Sequence, residues 1–329
     1  MARDSGMDDA PDEPPPRIPE EGGARVPPNR RPPTALGAGT FEPADWLGDR
    51  YLIERRLEWP GAGNAYLAKD VSNDRPVVIR VFPATSAGSE PSPVGCAMGV
   101  AARLAHPSLL RALEAGEVKH FEFMVFPYAP GEWLWHRLQR ERQLPVPDAL
   151  EVARQVNDLL VYAHASGLIH GDLSPACLYL TPDRVLVADF GLALSRQQDL
   201  GAGHFCGTLP YLSPERIRGR QPVDPRADIY ALGAILHEML TGTPPFGLLS
   251  HEIFAARDSG HLPPSARQVR AAVPRGVDAA IRRALAPDRD DRFADAAAFA
   301  LALEWGASDR EQPGPFVARL RALLGLDQA

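Results

Sequence analysis

Val187-Ala188-Asp189-Phe190-Gly191 closes a short apolar run with an acid, an aromatic ring and a turn residue. Upstream, a second acid sits in His170-Gly171-Asp172-Leu173-Ser174-Pro175. Further outward, Val77-Val78-Ile79-Arg80 reads as a strand carrying one cation, and His106-Pro107 and Val125-Phe126-Pro127-Tyr128 follow it. Downstream come Gly207-Thr208, Ser213-Pro214-Glu215, Asp228-Ile229-Tyr230-Ala231-Leu232-Gly233, Leu240-Thr241-Gly242 and Arg292. An isolated Asp-Phe-Gly carries little weight, but a series of segments in fixed order carries a great deal.

The series resembles the bacterial Ser/Thr protein kinases of the Hanks type, over roughly Tyr51 to Trp305. The resemblance implies an α+β, bilobal fold: a small β-rich N-lobe at about 46–127 and a large, mostly helical C-lobe at about 131–305, together one domain over 46–305. Tyr51–Leu57 and Ala65–Asp70 stand as its first two strands. His170, Phe190, Thr208, Asp228 and the pair Glu215–Arg292 take structural places in it, the pair anchoring the segment that ends at Glu215 to the helices.

Composition fits one globular domain with tails. A chain of 329 residues with 45% hydrophobic content can bury a full core. The formal charge of −7 gives no basic surplus for nucleic acid. Cys96, Cys177 and Cys206 are odd in number and widely spaced, which suits reduced thiols rather than a disulfide framework. No apolar run reaches the roughly 18 residues of a membrane span, and the N-terminus lacks the apolar stretch of a signal peptide. A cytoplasmic protein is expected. Of 35 basic residues only Lys69 and Lys119 are lysines, which shortens the search for a substitute catalytic lysine.

Residues 1–45 are dense in proline, glycine and charge and read as a disordered, Pro-rich acidic tail. Residues 306–329 read as a linker and a short amphipathic helix through Phe316, Val317, Leu320, Leu323 and Leu324. Within the domain, a helix with Asp148 as its cap runs through Leu150, Ala153, Val156, Leu160 and Ala163 to Gly167. A second runs from Asp228 to Gly242, and both are scaffold.

What the resemblance implies for chemistry is an altered site. Phosphoryl transfer depends on positioning and charge neutralisation, so each changed group can be weighed. The phosphate-covering loop should present three glycines but offers Glu58, Pro60 and Gly63, with Gly61 as a further mobile point; Glu58 adds negative charge and Pro60 lacks an N–H. The phosphate-gripping lysine is Arg80, and its helix glutamate partner falls at Ala97. Arg80 then reads either as a repositioned phosphate contact or as an exposed strand charge. Asp172 keeps the place of the base. Gly171 replaces the preceding arginine, Ser174 the lysine that steadies the phosphoryl group, and Cys177 the asparagine for a second Mg²⁺. Asp189 can hold one Mg²⁺; a thiol suits that hard cation poorly.

The implied adenine pocket has gained bulk. Val78 stands on its roof, Tyr179 on its floor and Phe126 at its rear, while the carbonyl of Pro127 and the N–H of Ala129 face the base. Val78 and Tyr179 are expected to meet across the adenine space. Three readings follow: a pseudokinase that binds a protein partner or an altered nucleotide; a slow Ser/Thr kinase using ATP and Mg²⁺ on a protein substrate; and a small-molecule phosphotransferase, suggested by His170-Gly171-Asp172. The first needs no cofactor.

Overall fold

The computed structural model describes residues 41–60, 64–83, 93–118, 121–190, 209–218, 224–247, 253 and 262–308. Gly61, Gly63, Gly207, Thr208, residues 1–40 of the expected 1–45 tail and the expected C-terminal helix from residue 309 onward lie outside them; the last five residues of that tail are described, and Phe41 is buried rather than disordered because its ring packs edge-on against Tyr66.

Six strands make the first sheet: β1 (Trp46–Leu47), β2 (Tyr51–Leu57), β3 (Asn64–Asp70), β4 (Arg75–Pro83), β5 (Glu114–Val118) and β6 (Phe121–Pro127), in the order β1-β2-β3-β4-β6-β5 and antiparallel throughout. Its central strand β4 is covered on both faces. Val77, Ile79 and Val81 pack with Phe41, Tyr51, Ile53 and Tyr66 on one side. Val78 and Phe82 pack with Val94, Met124 and Phe126 on the other, where helix α1 (Pro93–Arg103) lies. Side chains alternate along a strand, so Arg80 belongs to the second face.

The rest is mainly helical: α2 (Leu134–Glu141), α3 (Val146–Ala165), α4 (Pro214–Arg218), α5 (Arg226–Thr241), α6 (Ala266–Val269), α7 (Arg275–Ala284) and α8 (Ala296–Ala307). A small sheet of β7 (Glu132–Trp133), β8 (Leu178–Leu180) and β9 (Val185–Val187) sits among them. The architecture is α+β and bilobal, as the resemblance implies. Helices α3 and α5 carry the core of the large lobe, with Val156, Leu160, Ile229, Leu232 and Leu236 fully buried. Asp148 is not the cap of α3. Pro145 holds that position, Pro147 stands inside the first turn, where a missing N–H costs nothing, and Asp148 falls in the same turn, where its carboxylate suits the helix dipole and reaches Arg137 at 3.3 Å.

Two tertiary ties matter for the site. Arg292, buried, forks onto Glu215 of α4 at 2.7 and 2.8 Å and lies over the Tyr230 ring. Gly131 lets the chain linking the lobes press against β8: a Cβ there would stand 2.3 Å from the Leu180 carbonyl oxygen. Among the described residues no helix is long and apolar enough to cross a membrane.

Candidate active site

Arg80 is fully buried on the inner face of β4. Its guanidinium pairs with the Asp189 carboxylate and lies between two rings, 4.5 Å from the centroid of Trp59 and 4.9 Å from that of Phe82. The exposed strand charge is thereby corrected. A cation away from water needs a counter-charge, and two ring faces add further attraction. The counter-charge comes from the loop after β9. Asp189 itself holds a φ of +63°, a left-handed conformation that aspartate tolerates better than most residues.

The loop carrying Asp172 is fixed from beneath by Asp228, in the first turn of α5. Its Oδ2 accepts the N–H of His170 at 2.9 Å and lies 2.9 Å from His164 Nε2, while Oδ1 accepts the N–H of Gly171 at 2.8 Å. Three donors satisfy a carboxylate that is almost wholly buried. His170 meets the Ala188 carbonyl through Nε2 and accepts the Asp172 N–H at Nδ1, so its ring joins the two acid-bearing loops. The Phe190 ring stands edge-on to it at 4.9 Å. Gly171 has a φ of +77°, so the residue replacing an arginine also meets a backbone requirement.

The metal positions fit Mg²⁺ poorly. Cys177 is buried, its sulfur 3.6 Å from Ser174 Oγ and 3.5 Å from the Asp172 carbonyl oxygen. Burial pushes its thiol far above the ordinary range, and the charges of Asp189 and Asp172 push further, so it stays protonated and is no ligand for a hard cation. Ser174 is equally buried and faces Cys177. Asp189 is the remaining candidate, and one of its two oxygens, Oδ1, is already paired with Arg80. Among the described residues, no group of three or more His, Cys, Asp or Glu side chains is arranged to hold a metal ion.

Between the lobes lies a cavity of about 220 Å³, lined by Val78, Phe126, Pro127, Ala129 and Tyr179, and also by Trp59, Trp133, Glu58 and His136. Val78 and Tyr179, expected to meet across this space, both line it. Tyr179 donates its hydroxyl to the Ala129 carbonyl at 2.9 Å, drawn there by the polar backbone of the linker, and Val78 packs into the apolar cluster with Phe82 and Phe126. Trp59, which the motifs do not single out, stands edge-on to Trp133 at 4.5 Å and lies 5.8 Å from Phe126. Its neighbour Glu58 comes within 3.3 Å of His136 on α2. A large ring between two replaced loop glycines was the signal available for Trp59.

The family profile for the protein kinase domain matches residues 60–298. The chain is 34% identical to the serine/threonine-protein kinase pkn3 of Myxococcus xanthus over 282 residues, which cover 80% of this chain and 50% of pkn3. It is 32% identical to the serine/threonine-protein kinase PknL of Mycobacterium bovis over 283 residues, covering 84% of this chain and 71% of PknL. With the serine/threonine-protein kinase PknB of Mycobacterium leprae the identity is 31% over 264 residues, covering 76% of this chain and 42% of PknB. The profile match spans more than half of the chain, and the chain belongs to the protein kinase family.

Proposed function

We propose that this kinase domain is catalytically impaired and acts chiefly by binding a protein partner in cytoplasmic signalling. The observation that carries the reading is the pairing of Arg80 with Asp189. In phosphoryl transfer the basic residue of β4 serves the phosphates and the loop acid serves the metal, and here each serves the other. A protonated Cys177 and a buried Ser174 leave the second metal and the phosphoryl group without their usual partners. Losing one preorganised electrostatic contact commonly costs about 10²–10³ in rate. Several losses together support a deficit of roughly 10⁴ or more, even with strong non-additivity.

A slow Ser/Thr kinase is the second reading, favoured by Asp172 and Asp189 standing on loops joined through His170. Transfer of labelled phosphate from ATP·Mg²⁺ to a generic Ser/Thr peptide separates the two. Incorporation near background, unchanged by Asp172→Asn, is expected. Robust incorporation that disappears in Asp172→Asn would establish the slow kinase. The combination Arg80→Lys, Ala97→Glu and Cys177→Asn should raise activity where single changes do not, since these groups act as a unit.

A further inference from the structure

The small lobe reaches the large lobe through Trp59 and through Arg80, and these two side chains touch one another. Trp59, in the loop after β2, stands edge-on to Trp133 of β7 with ring centroids 4.5 Å apart, and Trp133 is backed by Tyr179 of β8 at 4.9 Å. Arg80, on β4, pairs with Asp189 of the loop after β9. Its guanidinium lies 4.5 Å from the centroid of the Trp59 ring, within the range of cation–π attraction. A closed circuit results, running from the large lobe through Trp133, Trp59 and Arg80 to Asp189 and so back to the large lobe.

Local sequence stiffens the Trp59 crossing. Pro60 follows Trp59 and disfavours the helical region for it, so the backbone is held extended where a glycine-rich loop would be free to lift. Glu58, on the other side of Trp59, comes within 3.3 Å of His136 on α2. Trp133 is almost wholly buried, so the surface that Trp59 meets is a fixed wall. The two crossings also support one another. Lifting Trp59 takes a ring face from a buried cation, and losing Asp189 removes the anchor that holds the guanidinium over that ring.

We propose that Trp59 is an autoinhibitory strap across the cleft and that the Arg80–Asp189 pair is its lock, so that the two crossings open together. Whatever draws the Asp189 carboxylate away from Arg80 releases Trp59 from Trp133 and lets the lobes part. The inference rests on the same ion pair as the reading of an impaired kinase, and it adds how that closed state is relieved.

Circular dichroism of the full chain tests it, because two indoles this close and inclined at 66° couple their transitions into a paired band of opposite signs. Wild type should show this couplet, Trp59→Phe and Trp133→Phe should each abolish it, and Trp46→Phe, on β1, should keep it. Asp189→Asn alters neither indole, yet it should lose most of the couplet. Hydrogen exchange of the amides from Tyr51 to Trp59 should quicken roughly tenfold in Asp189→Asn, as in Trp133→Phe. Arg292→Lys, which weakens the large lobe elsewhere, should leave the couplet intact and so separate release of the strap from general loss of stability. Arg80→Met should act like Asp189→Asn, and if it does not fold, Asp189→Asn decides alone. A wild type without the couplet, or a couplet and exchange unaltered by Asp189→Asn, would each overturn the proposal. The peptide assay keeps the two readings apart: Asp172-dependent transfer by a chain whose couplet follows Asp189 removes the impairment and sustains the strap.

Discussion

Arg80 and Asp189 meet as a buried ion pair that joins the centre of β4 to the loop after β9. Removing either partner strands the other, and such losses run at about 3–5 kcal/mol when both groups are buried. Asp189 keeps 16% of its side chain exposed, so the lower end is expected for Arg80→Met. In a denaturant-based double-mutant cycle with Asp189→Asn, the losses should fall short of additive by about 1–3 kcal/mol. Additive losses would show that the two groups do not act on one another.

Arg292→Ala should be among the most damaging single changes in the large lobe. It removes two donors from Glu215 and frees the carbonyls of Ala286 and Pro287. A fall in melting temperature of roughly 10 °C is expected. Arg292→Lys cannot reproduce the fork and should recover only part of it. An unchanged melting temperature would remove this pair from the account of stability.

Stability should decline as pH rises from about 4.5 to about 7, because of Glu238. Burial pushes its carboxyl up to about 7 from an ordinary 4.5, with the Tyr211 hydroxyl, donating at 2.7 Å, pulling partly back. Between those values the folded state binds the proton and the unfolded state does not, so stabilisation is full below about 4.5 and lost through about 7. The contribution is of order 2–3 kcal/mol. Glu238→Gln should flatten that part of the stability-against-pH curve; an unaltered slope in the variant would assign the titration elsewhere.

Restoring an arginine at Gly171 should cost stability rather than recover function. With φ at +77°, a side chain there is strained by about 1–2 kcal/mol. Gly171→Ala isolates the backbone effect and should show most of the same loss on chemical denaturation. Equal stability of wild type and Gly171→Ala would mean that the loop relaxes freely despite its bonds to Asp228.

The order of the fold was legible because the motifs carry it: Asp228 marks the first turn of a helix that Gly242 ends, and Glu215 and Arg292 share one interaction across the large lobe. The surroundings of Arg80 were not. A strand covered on both faces shows no alternation, so Val77 to Phe82 gives no hint of which side the cation takes. Trp59 escaped because replaced glycines announce what a loop has lost, while the ring filling the space is placed by Trp133 and Phe126 from distant segments. The direction of Tyr179 likewise depends on how closely Gly131 lets two chain segments approach.

The bond from Tyr179 to the Ala129 carbonyl bears on how the two lobes can move. Swinging apart requires torsion in the few residues between them, and the phenol rivets part of that stretch to β8. Rotation is left to Pro127 and Tyr128, and proline's ring has already frozen one torsion there. Opening and closing of the cleft becomes a stiff mode, and Tyr179→Phe is the smallest change that would loosen it.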